Sequence, residues 1–152
     1  MKILAVTAHP DDFETGMGGL AARLAASGHE IISVVLAPGR NKTENCIRRE
    51  ESEDSHELIG AHCHVQTLEI GNVCVTQESR YKFGEKFRSF APDAVFAMWG
   101  MDIHPDHRAA AILAIEPFLE KGVHTELFAM EVFSAHGMPQ TLVPRAILRA
   151  TE

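Results

Sequence analysis

Several features that would assign a protein to a specialised class are missing from this chain. Its 152 residues contain no apolar run near 18 residues, so no membrane-spanning helix is predicted. Cys46, Cys63 and Cys74 are odd in number and lack CxxC spacing, which predicts free thiols in a reducing cytoplasm. No signal-peptide cleavage site follows the first residues. The formal net charge of −7, without a basic patch, argues against a nucleic-acid partner.

Common nucleotide and nucleophile motifs are missing as well. The sequence contains neither GxxxxGK[ST] nor GxSxG, and GMGG at 16–19 does not match GxGxxG. What remains is an ordinary globular composition, with 45% apolar and 23% charged residues, together with nine histidines. This length and composition predict one domain over residues 1–152. The high number of histidines makes a metal-binding site a hypothesis to examine.

Apolar, strand-like runs alternate with helix-like segments along the chain. The βαβαβαβαβ pattern predicts a three-layer α/β/α fold with a mainly parallel sheet, for which we take the order 3-2-1-4-5. The predicted strands are 2–8, 30–39, 65–72, 93–100 and 125–133, and the predicted helices are 14–28, 43–60, 78–90 and 107–122.

The same patterns predict which side chains are buried. The second helix is expected to bury Ile47, Leu58 and Ile59. Residues 62–64 (HCH) are interpreted as the start of a strand, because alternation places their side chains on opposite faces. The third helix is predicted to pack through its aromatic residues Tyr81, Phe83, Phe87 and Phe90.

The histidines outside the two motifs are isolated in the sequence. His29, His56 and His124 are predicted to lie on the surface, and His136 is a weaker candidate for lining a cleft.

Two groups of histidine, aspartate and proline follow the first and fourth predicted strands. Residues 9–12 read HPDD and residues 102–107 read DIHPDH. In an open parallel sheet, ligands bind outside the carboxyl ends of the strands, where the strand order reverses. With the order 3-2-1-4-5, the two loops would be neighbours at that point. The sequence therefore predicts a shared site built from both groups.

A divalent metal explains these residue types best. His9 and Asp12 are three positions apart, so a turn can direct both at one point, and His107 supplies a third ligand from the other loop. Two histidines and one carboxylate suit zinc, with the fourth position left to water, and they also fit other divalent metals.

The remaining polar residues of the two groups fit supporting roles. Asp11 is not needed as a ligand and can act as a general base. His104 can stabilise an oxyanion or protonate a leaving amine. Asp102 or Asp106 can orient the imidazoles by accepting their second N–H.

Helix capping is the structural alternative. Asp11 or Asp12 would cap the helix that follows the first strand, and Asp106 the helix that follows the fourth. HPDD alone fits capping and metal binding equally well. Two such groups on neighbouring loops favour the metal.

At these motifs the sequence resembles the PIG-L/LmbE-like family of zinc-dependent N-acetylglucosaminyl deacetylases. That family has AHPDDxExGxGG near the amino terminus and HPDH further along, and residues 8–19 (AHPDDFETGMGG) and 104–107 match both patterns. Residues 47–61 resemble the family's R-x-E-E helix. The resemblance extends from residue 1 to about residue 133.

The resemblance implies a Rossmann-like fold with one Zn²⁺, and removal of an N-acyl group, usually acetyl, from a small-molecule amino sugar or its conjugate. It implies the ligands and the roles of Asp11 and His104 given above, and Arg48 matches the arginine that contacts the sugar or its attached group. Asn72 stands where the family usually has Asp, which concerns substrate preference. The family usually continues further, so we expect a domain that lacks its C-terminal portion, and a homo-oligomer in which a neighbour covers the exposed edge.

Three rival functions come from different classes. One is a metal-dependent amidase acting on a non-sugar substrate, and another is a metal-binding homologue without catalysis. A flavodoxin-like nucleotide-binding domain is a third, which HPDD and HPDH disfavour.

Overall fold

A five-stranded parallel sheet forms the centre of the molecule. A computed structural model describes residues 1–66, 68, 70–119 and 125–132. The strand order is β3-β2-β1-β4-β5, and each neighbouring pair is parallel, which confirms the predicted fold and order. The strands are β1 (Lys2–Thr7), β2 (Glu30–Val35), β3 (His62–Val65), β4 (Ala94–Met98) and β5 (Glu126–Met130).

In the described part of the chain, four helices connect the strands and cover both faces of the sheet. Local signals set their ends: Asn41 accepts hydrogen bonds from two backbone N–H groups of the second helix, and Gly60 ends that helix in the left-handed conformation. Thr76 and Ser79 form a capping box on the third helix. The helices are α1 (Asp12–Ala26), α2 (Lys42–Ile59), α3 (Gln77–Phe90) and α4 (Pro105–Phe118).

The third strand and the fourth helix differ from the bounds that the sequence pattern predicts. The third strand starts at His62, as HCH suggested, but it ends at Val65 instead of extending to 72. Single backbone hydrogen bonds still connect Gln66, Leu68 and Ile70 to residues 35–39 beyond its end. The fourth helix starts at Pro105 rather than 107, because proline suits the first helical position.

Burial corrects several predictions about α2 and α3. Ile47 and Leu58 are exposed, at 54% and 91%, and only Ile59 packs against the core. The buried side of α2 instead contains Ser52 and His56, so the prediction of a surface His56 is wrong. On α3, Tyr81 is exposed, whereas Phe83 and Phe87 are buried and Phe90 packs partly against the core. His124 and His136 lie outside the described residues.

The sheet brings the two sequence motifs together. β1 pairs directly with β4, so the loops that follow these strands are neighbours at the carboxyl edge. This confirms the adjacency that the strand order predicts. Within the described part of the chain, no helix is long and apolar enough to cross a membrane.

Candidate metal centre and active site

The loop after β1 makes a tight turn. The His9 backbone N–H donates to Asp12 Oδ2 at 2.7 Å, which folds the two ends of HPDD towards each other. Asp11, between them, has a φ of 86°, in the left-handed region. That conformation costs a non-glycine residue roughly 1–2 kcal/mol. The turn buries His9 and Asp12 and leaves Asp11 exposed.

Side chains of three residues from the two loops converge. His9 Nδ1 lies 3.6 Å from Asp12 Oδ2 and 3.3 Å from His107 Nε2. His107 Nε2 lies 3.4 Å from Asp12 Oδ1. Ligands that lie 2.0–2.1 Å from a tetrahedral zinc are about 3.3 Å from one another. The spacing and the chemistry of His9, Asp12 and His107 therefore fit a small divalent cation.

Two buried carboxylates orient the imidazoles. Asp106 Oδ2 lies 3.0 Å from His9 Nε2, and Asp102 Oδ2 lies 3.0 Å from His107 Nδ1. A carboxylate accepts, so each neutral ring carries its proton on the nitrogen that faces the aspartate. The converging nitrogens, His9 Nδ1 and His107 Nε2, then keep free lone pairs. Metal-binding histidines in proteins are oriented by carboxylates in this way.

Burial sets the protonation preferences of the converging groups. It lowers the pKa of His9 to about 4, with the other two imidazoles adding to the effect, so this ring is neutral at pH 7. Burial also raises the pKa of Asp12 to about 6, against the stabilising effect of His107. In the buried site the Asp12 carboxylate lacks the solvation that an anion needs, and a bound cation would supply the missing charge.

His104 belongs to the same cluster and offers a second set of donors. One nitrogen each from His9, His104 and His107 lie within 4.8 Å of one another. His104 Nδ1, however, accepts the Asp106 backbone N–H at 3.2 Å and caps α4. Its neutral ring therefore carries the proton on Nε2, and burial, with repulsion from His107, lowers its pKa. An N–H donor at that position suits a developing oxyanion better than it suits a metal.

Asp11 stands at the mouth of the site. Its side chain is 73% exposed and lies 3.7 Å from Arg48 Nη2, and Arg48 also donates to Pro10 O at 3.1 Å. Partial burial raises the pKa of Asp11, and the Arg48 guanidinium opposes that shift. Arg48, predicted from the resemblance alone, thus lies beside the HPDD turn.

Capping does not explain the aspartates. Asp11 occupies the N-cap position of α1, but its side chain accepts no capping hydrogen bond. Asp12 is bonded back to His9, and the cap of α4 is His104 rather than Asp106. The predicted capping role of Asp106 is therefore wrong.

Sequence reasoning missed two groups of residues near this site. Asp106 also accepts hydrogen bonds from the backbone N–H groups of Gly71, at 2.6 Å, and Val73, at 3.3 Å. Burial by itself would raise the pKa of Asp106. The hydrogen bonds from Gly71, Val73 and His9 outweigh that effect, so the pKa of Asp106 lies below its ordinary value. Backbone donors leave no signature in a sequence, so no motif could have revealed this contact.

The second missed group connects α1 to α2. Phe13, next to the HPDD turn, stacks on the fully buried His56 ring with centroids 4.4 Å apart. Ser55 Oγ donates to Glu14 Oε1, and His56 Nδ1 donates to Ser52 O at 2.6 Å. Ser52 and His56 are one helical turn apart, and this spacing was the available signal.

Comparisons with known proteins show which proteins this chain is similar to. The family model PIG-L, described as GlcNAc-PI de-N-acetylase, matches residues 4–117. The diacetylchitobiose deacetylase of Thermococcus kodakarensis is 32% identical over 129 residues, covering 76% of this chain and 48% of that protein. An Escherichia coli K12 protein named uncharacterized deacetylase YaiS is 46% identical over 69 residues, covering 45% of this chain and 36% of that protein.

Among solved structures, the N,N'-diacetylchitobiose deacetylase of Pyrococcus horikoshii, in complex with its inhibitor MPG, is similar. It aligns with a TM-score of 0.71 and 31% identity over 81% of this chain and 52% of that one. The chain thus spans 36%, 48% and 52% of the length of these three relatives. The matched region, residues 4–117, contains both motifs.

Proposed function

Because the chain belongs to the PIG-L family, whose model is described as GlcNAc-PI de-N-acetylase, we propose that it is a metal-dependent hydrolase that removes an N-acetyl group from an amino sugar or its conjugate. The observation that best supports this function is the convergence of His9, Asp12 and His107 within 3.3–3.6 Å. The diacetylchitobiose deacetylases among its relatives support a small amino-sugar substrate.

Zinc is the metal we propose, held by His9, Asp12 and His107. Their two nitrogens and one carboxylate are a common ligand set for catalytic zinc, in which a further position stays open. When bound, the metal would polarise the amide carbonyl and make water more acidic. Asp102 and Asp106 would keep the two histidines in the tautomers that binding needs.

Asp11 is the proposed general base. It is exposed at the mouth of the site and its carboxylate is not committed to capping. In this role it would take a proton from the water that attacks the amide carbonyl, and pass that proton to the leaving nitrogen. Acetate and a free amine are the products.

His104 and Arg48 are the proposed partners of the substrate. The His104 Nε2–H would donate to the carbonyl oxygen as negative charge develops on it, an effect worth roughly 3–4 kcal/mol in well-studied enzymes. Arg48 would contact the sugar or its attached group from beside Asp11. Its hydrogen bond to Pro10 O already fixes the guanidinium at that position.

Compartment and assembly are also proposals. Cys46, Cys63 and Cys74 are all free thiols, which supports a reducing compartment such as the cytoplasm. The homo-oligomer expected from the sequence stays a prediction.

A substrate panel tests the function. Zinc-loaded protein would be incubated with N-acetylglucosamine, N,N'-diacetylchitobiose and N-acetyl amino acids, and the released amine measured. We expect release from the amino sugars and none from metal-stripped protein. Release from the amino acids alone would favour a non-sugar amidase, and zinc binding without any release would favour a non-catalytic homologue.

A further inference from the structure

A segment after β3 is attached to the metal-binding loop by one carboxylate. Asp106 accepts from the backbone N–H of Gly71 at 2.6 Å, from that of Val73 at 3.3 Å, and lies 3.0 Å from His9 Nε2. The residue itself is 1% exposed. Three donors on one buried carboxylate form a junction between the start of α4, the HPDD turn and residues 70–73.

The segment crosses the carboxyl edge of the sheet to reach this junction. β3 and β4 are separated by β2 and β1, yet Gly71 and Val73 contact a residue in the first turn of α4. Gly71 has a φ of 86°, which lets the backbone turn between the two donors. Ile70 is fastened separately, through its N–H to Gly39 O at 2.8 Å.

We propose that Asp106 is a positioning residue that fixes residues 71–73 against the His9 imidazole, so that this segment forms a wall of the site and becomes more rigid when the metal binds. The proposal rests on the proposed function in taking this edge as the substrate cleft. Asn72 lies between the two fastened amides, so its position is set by the same carboxylate.

The coupling follows from the shared acceptor. A metal on His9 Nδ1 would hold the ring in place and make its Nε2–H a stronger donor to Asp106. The carboxylate that receives this bond is the one that holds Gly71 and Val73. A metal that fixes the His9 ring would therefore also restrict the Gly71 and Val73 amides, because Asp106 is bonded to all three.

Asp102 provides a matched comparison. It orients His107 at 3.0 Å, as Asp106 orients His9. Its Oδ1 accepts from the His104 backbone N–H at 2.7 Å. Asp102→Asn therefore perturbs a histidine of the site in the same way, but keeps the Asp106 carboxylate that accepts from Gly71 and Val73.

Amide hydrogen exchange, measured by NMR on the full chain with and without zinc, tests the proposal. Relative to wild type, Asp106→Asn should speed exchange at Gly71 and Val73 by about tenfold or more, as expected for loss of hydrogen bonds to a charged acceptor. Asp102→Asn should leave both rates unchanged. Equal loss of protection in the two variants, or none in Asp106→Asn, would overturn the proposal.

Wild-type protein gives a second readout that needs no variant to fold. Zinc should slow exchange at Gly71 and Val73 and leave Ile70, which is bonded to Gly39, unchanged. Uniform slowing across residues 70–73 would contradict the junction. If zinc does not bind, the effect of the metal is refuted, and the metal-free comparison of the two variants still tests whether Asp106 holds Gly71 and Val73. Because neither readout depends on turnover, a protein that fails to deacetylate could still show this exchange pattern.

Discussion

Two adjacent aspartates, Asp11 and Asp12, have opposite environments. Asp12 is 4% exposed and lies between two imidazoles, whereas the side chain of Asp11 is 73% exposed beside Arg48. The left-handed backbone at Asp11 directs the neighbouring carboxylates to different places. These environments fit the proposed roles, metal binding for Asp12 and proton transfer for Asp11, and a cation beside them would offset their repulsion.

The role of Asp11 predicts a loss of rate without a loss of metal. In Asp11→Asn, amine release should fall by about 10²–10⁴-fold, the usual contribution of general acid–base catalysis. Zinc content should stay at the wild-type level, because the exposed side chain is not a proposed ligand. Elemental analysis and steady-state kinetics on one preparation measure both. A variant with wild-type turnover would refute the assignment of the base.

The metal could be held by His9, Asp12 and His107 or by His9, His104 and His107, and the two sets predict different results for the His104 variant. His107→Ala removes a donor common to both sets and should abolish zinc binding in a chelator-competition titration. His104→Ala should bind zinc as wild type does and lose activity, because Nδ1 of that ring is occupied by the cap of α4. Loss of zinc from His104→Ala would replace Asp12 by His104 in the ligand set.

At the scale of elements, α2 shows where sequence reasoning failed. Apolar periodicity selected Ile47 and Leu58 as buried, but α2 packs through Ser52 and His56. The reason is that Phe13 presents an aromatic face, against which an imidazole stacks. A hydrophobicity pattern cannot identify a polar residue that a partner ring buries.

The buried His56 predicts acid sensitivity. Burial lowers its pKa below the ordinary 6.5, so the unfolded chain binds more protons once the pH falls below about 6.5. Stability is therefore full above that pH and is lost as the pH falls. In His56→Gln, which keeps a donor for Ser52 O, urea unfolding should show a weaker dependence on pH between 7 and 5.

His29→Gln is the control for that series, because the His29 ring is half-exposed, contacts the Met1 amino group and lies outside the α1–α2 contact. Its unfolding should depend on pH more steeply than that of His56→Gln. If His56→Gln also unfolds with the wild-type pH slope, His56 does not contribute to the acid sensitivity of the fold.

The whole fold was more predictable than the whole site. Continuous apolar runs and the alternation of elements predicted a parallel sheet, and the order 3-2-1-4-5, which the structure confirms, predicted that HPDD and HPDH meet. The position of residues 71–73 was not predictable, because it depends on backbone donors to Asp106. Side-chain motifs are visible in a sequence, whereas the acceptors of backbone N–H groups are not.

Metal binding should stabilise the entire molecule. A ligand that binds only the folded state raises the free energy of unfolding by about 2.7 kcal/mol at a concentration of 100 times its Kd. Zinc at that concentration should shift the urea midpoint of wild type upward, and a chelator should reverse the shift. His107→Ala should show no shift, and an equal shift in that variant would place the stabilising zinc elsewhere.

The central claim is that one metal, held between the two loops, is required for deacetylation of an amino sugar. The most direct test is amine release from N,N'-diacetylchitobiose while metal-stripped protein is titrated with zinc. The account predicts release that rises in proportion to bound zinc and levels off at about one equivalent per chain, the stoichiometry of a single three-ligand site. Full zinc occupancy without release, or undiminished release from metal-stripped protein, would contradict it.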